Sequence, residues 1–378
     1  MDSRRKSLLR GQTLSDKKRT EETDMRELWT MSGIRFFLAV LLIITSFGLT
    51  LTGCSRNEDR SGEETGGQEE TNGPEEISDD TASDSSTEYT LTTKVVDVIN
   101  DPVFEDYGRL IFPVDRTISD DLELQDVGDI LIWYNNVNPD RTVEIANYLR
   151  DQAAAGNQIF YDIYTEEEKA EDPDKENTGL FFFRGEPGAK TAIVNAGGGF
   201  MYVAAMHDSF PHALELSKRG YNGFALIYRP GADTACEDLA RAIAFLHENA
   251  EELQIDMTDY SLWGGSAGAR MAAWLGSYGT AAFGEDAWPA PGAVIMQYTS
   301  LSDMTGAEPP TYACVGTSDG IASYRSMEDY IHRIQDNGTD AEIEVFDGLR
   351  HGFGLGEGTV AEGWLDHAVS FWERNMDH

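Results

Sequence analysis

The stretch Gly264-Gly265-Ser266-Ala267-Gly268 sets one hydroxyl among glycines, after the apolar run "YSLW" and before the alanine-rich "ARMAAW". A serine at a strand-to-helix junction becomes a nucleophile when its neighbours are small enough for the turn to be tight. The N-terminus of the helix that comes after it favours negative charge on the attacking oxygen. A serine hydroxyl is a weak nucleophile by itself, so a base must take its proton and an acid must orient that base. For this kind of turn the chain order is serine, acid, histidine. After Ser266, "ACVGTSDG" ends a strand in Asp319 and "EVFDGLRHGFG" ends the next in a loop that holds His351. Asp303 and Asp347 remain alternatives for the acid, and Asp319 before Gly320 also reads as a turn aspartate. His332 and His367 compete with His351, but each sits inside a helical pattern.

A tetrahedral intermediate also needs donors for its oxyanion: the amide after the nucleophile, Ala267, and amides from the loop after an earlier strand. "TAIVNAGGGF" supplies that loop, with Gly197, Gly198 and Gly199 following an apolar strand, and Gly198 and Gly199 are the expected donors. Phe200, Met201, Tyr202 and Phe353 flank these positions and read either as lining for an acyl or sugar pocket or as core. Arg270, on the helix after the serine, reads as an ion-pair partner for one of the many acids, and Trp263 as core. No P-loop, H-E-x-x-H or EF-hand pattern occurs, so neither a nucleotide cofactor nor a metal is expected.

These loops need strands that end on one edge. From Gly179 onward, short apolar runs ("GLFFFRG", "KTAIVNAGG", "YNGFALIYR", "GAVIMQYT", "TYACVGTSD", "AEIEVFDG") alternate with amphipathic stretches such as "CEDLARAIAFLHENAEEL" and "AEGWLDHAVSFWERN". That alternation predicts a mostly parallel sheet with helices on both faces, whose ligands bind beyond the carboxyl ends of the strands. Residues 179–378 are expected to form this catalytic domain, and residues 90–178 a cap or edge strands without recognisable chemistry. Residues 55–89 are almost devoid of apolar side chains and densely acidic, the composition of a solvated tether.

The 378-residue chain holds 67 Asp and Glu against 29 Lys and Arg, a net charge of −38, and residues 1–54 carry a small positive excess, so the body is more acidic still. Such a charge excludes a nucleic-acid partner, whose affinity comes largely from Lys and Arg at phosphates. Within residues 1–54, "RFFLAVLLIITSFGLTLTGC" runs from basic to apolar to small residues before Cys54, the order of an export signal. It resembles the lipobox of bacterial lipoproteins, which implies lipidation of Cys54, a membrane anchor and a location outside the cytoplasm. A plain N-terminal membrane helix is the alternative. The residues before Met31 are long and polar for a signal, which leaves Met25 or Met31 as candidate starts. The other two cysteines, Cys236 and Cys314, are expected as buried free thiols.

From about Gly179 the chain resembles the α/β-hydrolase superfamily, and within it bacterial esterases of the acetyl-esterase, acetylxylan-esterase and dienelactone-hydrolase-like branches. "NAGGGF", "GGSAG", "VGTSDG" and "HGFG" carry the resemblance. It implies the α/β-hydrolase fold, Ser266 as nucleophile, Asp319 and His351 as its relay, and the amides of Gly198, Gly199 and Ala267 as oxyanion donors. It further implies a small ester or acylated carbohydrate as substrate and no cofactor. Ala196 stands where the hormone-sensitive-lipase-like branch has histidine before its glycines, which weakens that assignment alone. Two other readings share these residues: a peptidase of the prolyl-oligopeptidase type, for which the chain lacks a gating domain, and a non-catalytic surface protein that binds carbohydrate or a partner on the same fold.

Overall fold

The computed structural model describes residues 88–376. Cys54, the apolar run before it and all but the last residues of the acidic stretch lie outside them. Residues 88–376 form one compact unit, so residues 90–178 share it with the strands C-terminal to them.

Its sheet has eight strands: β1 (Phe160–Tyr161), β2 (Gly179–Phe183), β3 (Lys190–Asn195), β4 (Asn222–Ile227), β5 (Asp256–Gly265), β6 (Ala293–Gln297), β7 (Thr311–Gly316) and β8 (Ala341–Phe346). They lie in the order β1-β2-β4-β3-β5-β6-β7-β8. β1 pairs antiparallel with β2 and β2 with β4, while every other pair is parallel. Parallel strands covered on both faces need continuous apolar runs, and β4, β6 and β7 are buried at every residue, as is the antiparallel β2. At the edge, β8 alternates Glu342 and Glu344 with Ile343 and Val345 and is only partly covered, which keeps the open edge charged.

The helices that accompany the sheet include α1 (Pro139–Ala154), α2 (Ala205–Asp208), α3 (Phe210–Lys218), α4 (Ala232–Glu248), α5 (Ala267–Tyr278), α6 (Tyr324–Asp336) and α7 (Trp364–Arg374). Sequence sets their starts. Asn138 caps α1 through the amides of Asp140 and Arg141, with Pro139 at the first helical position, and Ser323 caps α6 through the amide of Ser326. The core lies between sheet and helices and includes Trp263, Trp364 and Trp372, all buried. Cys236 and Cys314 are buried free thiols. Among the described residues no helix is long and apolar enough to cross a membrane.

Candidate active site

The candidate site forms where β5 ends. Ser266 follows the strand directly and heads α5 with φ 52° and ψ −114°, a sparsely populated backbone conformation for a non-glycine residue. The surroundings hold it there: the Ser266 amide donates to the Gln297 carbonyl at the end of β6, at 3.0 Å. A Cβ on Gly268 would land on the Asn195 carbonyl of β3, and one on Gly264 would land on the Gly268 backbone. The glycines are there because strand, turn and helix touch backbone to backbone. Ser266 itself is only partly buried, so its hydroxyl stays accessible.

Two further strand ends bring the partners. Asp319 lies in the loop after β7, its side chain fully buried, and its Oδ1 accepts the amides of Ile321 (2.8 Å) and Ala322 (2.7 Å). His351 lies in the loop after β8; its Nδ1 is 2.8 Å from Asp319 Oδ2 and its Nε2 is 3.1 Å from Ser266 Oγ. A carboxylate accepts and does not donate, so the imidazole proton sits on Nδ1 and Nε2 presents a lone pair to the serine hydroxyl. The ring is held from behind by Tyr298, edge to face at 5.0 Å. The alternatives fall elsewhere. Asp347 is exposed and accepts from Thr317, Asp303 is exposed, His332 is exposed on α6, and His367 on α7 pairs with Glu344.

The glycine loop after β3 stands beside the elbow. Gly198 (φ 127°) and Gly199 (φ 64°) take conformations that side chains resist. No acceptor among the described residues takes the amides of Gly198, Gly199 or Ala267. The ring of Trp133 stands against Gly199, where a Cβ would meet it, and stacks on Tyr202 with ring centres 5.6 Å apart. Phe200 is buried and stacked with Trp274, while Tyr202 and Phe353 are packed in the interior, Phe353 against Tyr298. These three rings back the loops, and the exposed apolar side chain here is Met201, 48% exposed. Arg270 is largely covered, bonds the Ser300 carbonyl and lies over Trp274; burial pushes its pKa down, and Asp303 offsets part of that.

Sequence reasoning passed over four residues here. Trp133 and Tyr134 come from the segment before β1, Asp208 ends α2, and Tyr298 follows β6. The Tyr134 hydroxyl donates to Asp208 Oδ2 at 2.9 Å, the Tyr298 hydroxyl donates to Asp208 Oδ1, and the Gly197 amide donates to Asp208 Oδ2 at 2.7 Å. None belongs to a motif; the one signal was an acid within the short stretch "AAMHDSF" just after the glycine loop. Among the described residues no group of three or more His, Cys, Asp or Glu side chains converges in a way that could hold a metal ion.

Strand order, a tight serine turn after β5 and a histidine-carboxylate pair at the ends of β7 and β8 occur together. The fold is that of the α/β hydrolases. A family model described as BD-FAE matches residues 184–290, which include the glycine loop and the elbow. Among solved structures the chain is similar to an α/β hydrolase enzyme from a Medee basin deep-sea metagenome library (19% identity, TM-score 0.47, covering 53% of this chain and 93% of that one). It is also similar to Thermogutta terrifontis esterase 2 phosphonylated by cyclosarin (22%, 0.46, 52% and 89%) and to a sugar hydrolase from Lactococcus lactis (21%, 0.45, 52% and 94%). No curated protein matches the chain.

Proposed function

We propose that this α/β-hydrolase chain is a serine hydrolase of carboxylic esters. The observation that carries the reading is the continuous relay from Asp319 through His351 to Ser266. Ser266 Oγ attacks the ester carbonyl as His351 Nε2 takes its proton, and the resulting imidazolium is stabilised by Asp319. The tetrahedral oxyanion sits on the free amides of Ala267 and of Gly198 or Gly199, each donor being worth roughly 10²–10³ in turnover. His351 then returns the proton to the departing alcohol, and water, activated by the same histidine, clears the acyl-serine.

The basic-apolar-small order before Cys54 supports a lipid-anchored protein held outside the cytoplasm, with residues 55–89 as its acidic tether. A substrate outside the cell follows from that location, and acyl groups on polysaccharide are the class we propose. Hydrolysis of p-nitrophenyl acetate and butyrate by the full chain, beside Ser266→Ala, tests the esterase reading. We expect turnover in the wild type and none above background in the variant. Folded wild type inert to both esters and to a fluorophosphonate would remove the reading. Acetate release from acetylated xylan tests the substrate class separately, and its absence in an enzyme active on aryl esters would overturn that part alone.

A further inference from the structure

The relay uses Ser266, His351 and Asp319 and leaves a second buried carboxylate at the same place without a role. Asp208 is fully buried, and its donors, the Gly197 amide and the Tyr134 and Tyr298 hydroxyls, are all neutral. A carboxylate taken out of water without a cation is costly unless hydrogen bonds replace its hydration. Here three donors do so: the amide of Gly197, the hydroxyl of Tyr134 and the hydroxyl of Tyr298. Burial, reinforced by the charge of Asp208, holds both phenols well above the usual tyrosine range, so both keep their protons to donate.

Each donor belongs to a different working part. Gly197 opens the glycine loop whose next two amides are the oxyanion donors. Tyr298 packs against the His351 ring, and its oxygen accepts the Gly354 amide of the histidine loop at 3.3 Å. Tyr134 brings in the segment before β1, next to Trp133. The carboxylate also lies against Gly265 of the elbow, leaving no room for a Cβ there. One side chain thus touches or bonds the nucleophile turn, the glycine loop and the support of the histidine.

We propose that Asp208 is a positioning residue, whose bonds to Gly197, Tyr134 and Tyr298 set the oxyanion loop and His351 at the spacing the tetrahedral intermediate needs. This rests on the serine-hydrolase reading. Asparagine has one acceptor oxygen where aspartate has two. With that oxygen kept on Gly197 and Tyr134, its NH₂ faces a phenol oxygen already bonded to Gly354, and the phenol hydrogen is orphaned.

The test is steady-state ester hydrolysis by Asp208→Asn, Tyr298→Phe and Tyr134→Phe in the full chain, with turnover expressed per serine titrated by a fluorophosphonate. Titration removes the effect of misfolded protein, so a merely structural role would leave turnover per site unchanged. We expect kcat per site to fall on the order of 10²-fold in Asp208→Asn, the scale of one misplaced oxyanion donor, and about 10-fold in Tyr298→Phe, with KM within about twofold because the ground-state carbonyl does not use the hole. If Asp208→Asn does not fold, the two phenylalanine variants, which keep the carboxylate, decide. Unchanged kcat per site, or a loss confined to KM, would overturn the role of Asp208 and leave the esterase reading intact. A wild type that neither turns over nor titrates would overturn both.

Discussion

Replacing Asp319 by asparagine isolates the orientation of the histidine from everything else in the site. In the native site Asp319 Oδ1 accepts two backbone amides, from Ile321 and Ala322, and Oδ2 accepts His351 Nδ1–H. Asparagine is isosteric, but only its oxygen can accept those two amides, so its NH₂ must face His351. Nδ1 then becomes the acceptor, the ring proton moves to Nε2, and the side facing Ser266 Oγ loses its lone pair. In the proposed mechanism the nucleophile then keeps its place and loses its base. A change of this kind costs about 10⁴ in kcat, which is about 5 kcal/mol of transition-state stabilisation at 1.36 kcal/mol per tenfold. Both amides stay satisfied, so thermal stability changes little. The assay is p-nitrophenyl acetate turnover at neutral pH for Asp319→Asn, Asp303→Asn and Asp347→Asn, with a melting curve for each. Asp303→Asn and Asp347→Asn should stay within a few-fold of wild type, since both acids are exposed and away from the ring. An Asp319→Asn enzyme within tenfold of wild type would refute the tautomer argument, and a collapse in either control would mean the wrong acid had been chosen.

Two further outcomes rest on the same packing. Gly268→Ala sets a Cβ onto the Asn195 carbonyl, backbone against backbone with no flexible end to yield. It should cost about 3 kcal/mol or more and lower Tm by at least ~6 °C, with esterase turnover falling alongside; a melting curve matching wild type would show that the elbow has slack. His212 on α3 is buried beside Trp364, and burial pushes its pKa down from the usual 6.5 to about 4. The unfolded chain therefore takes up this proton first as pH falls, so stability is full above about 6.5 and is lost as pH drops toward 4, by about 3 kcal/mol from this group. Urea midpoints between pH 4 and 8 should fall less steeply in His212→Phe than in wild type, and parallel curves would show that His212 does not carry the effect.

Local sequence determined the elements and the tight turn that carries Ser266. Short runs of Phe, Val, Ile and Leu bounded by turn residues read as inner strands, and a serine among glycines between such a run and an alanine-rich helix reads as a tight turn. Both are properties of neighbouring residues, and β5, Ser266 and α5 result from them. Chain order and strand-end position brought Asp319 and His351 forward, because a parallel sheet puts the loops after its strands on one edge. Order alone left Asp303 and Asp347 open, since all three acids precede or flank a turn; only the folded chain decides that Asp319 meets the ring, and it does so through two local amides that fix its side chain. The residues that sequence did not reveal are those whose meaning is wholly non-local. Asp208, Tyr134 and Tyr298 lie far apart along the chain and match no spacing, yet burial removes the water each would otherwise bond and turns them to one another and to the amides of Gly197 and Gly354. Trp133 is likewise silent in sequence, because its place against Gly199 depends on how residues before β1 fold back over the ends of the strands. Periodicity and steric necessity act between neighbours in sequence, whereas desolvation acts between neighbours in space, and that difference separates what could be read along the chain from what the tertiary structure alone determined.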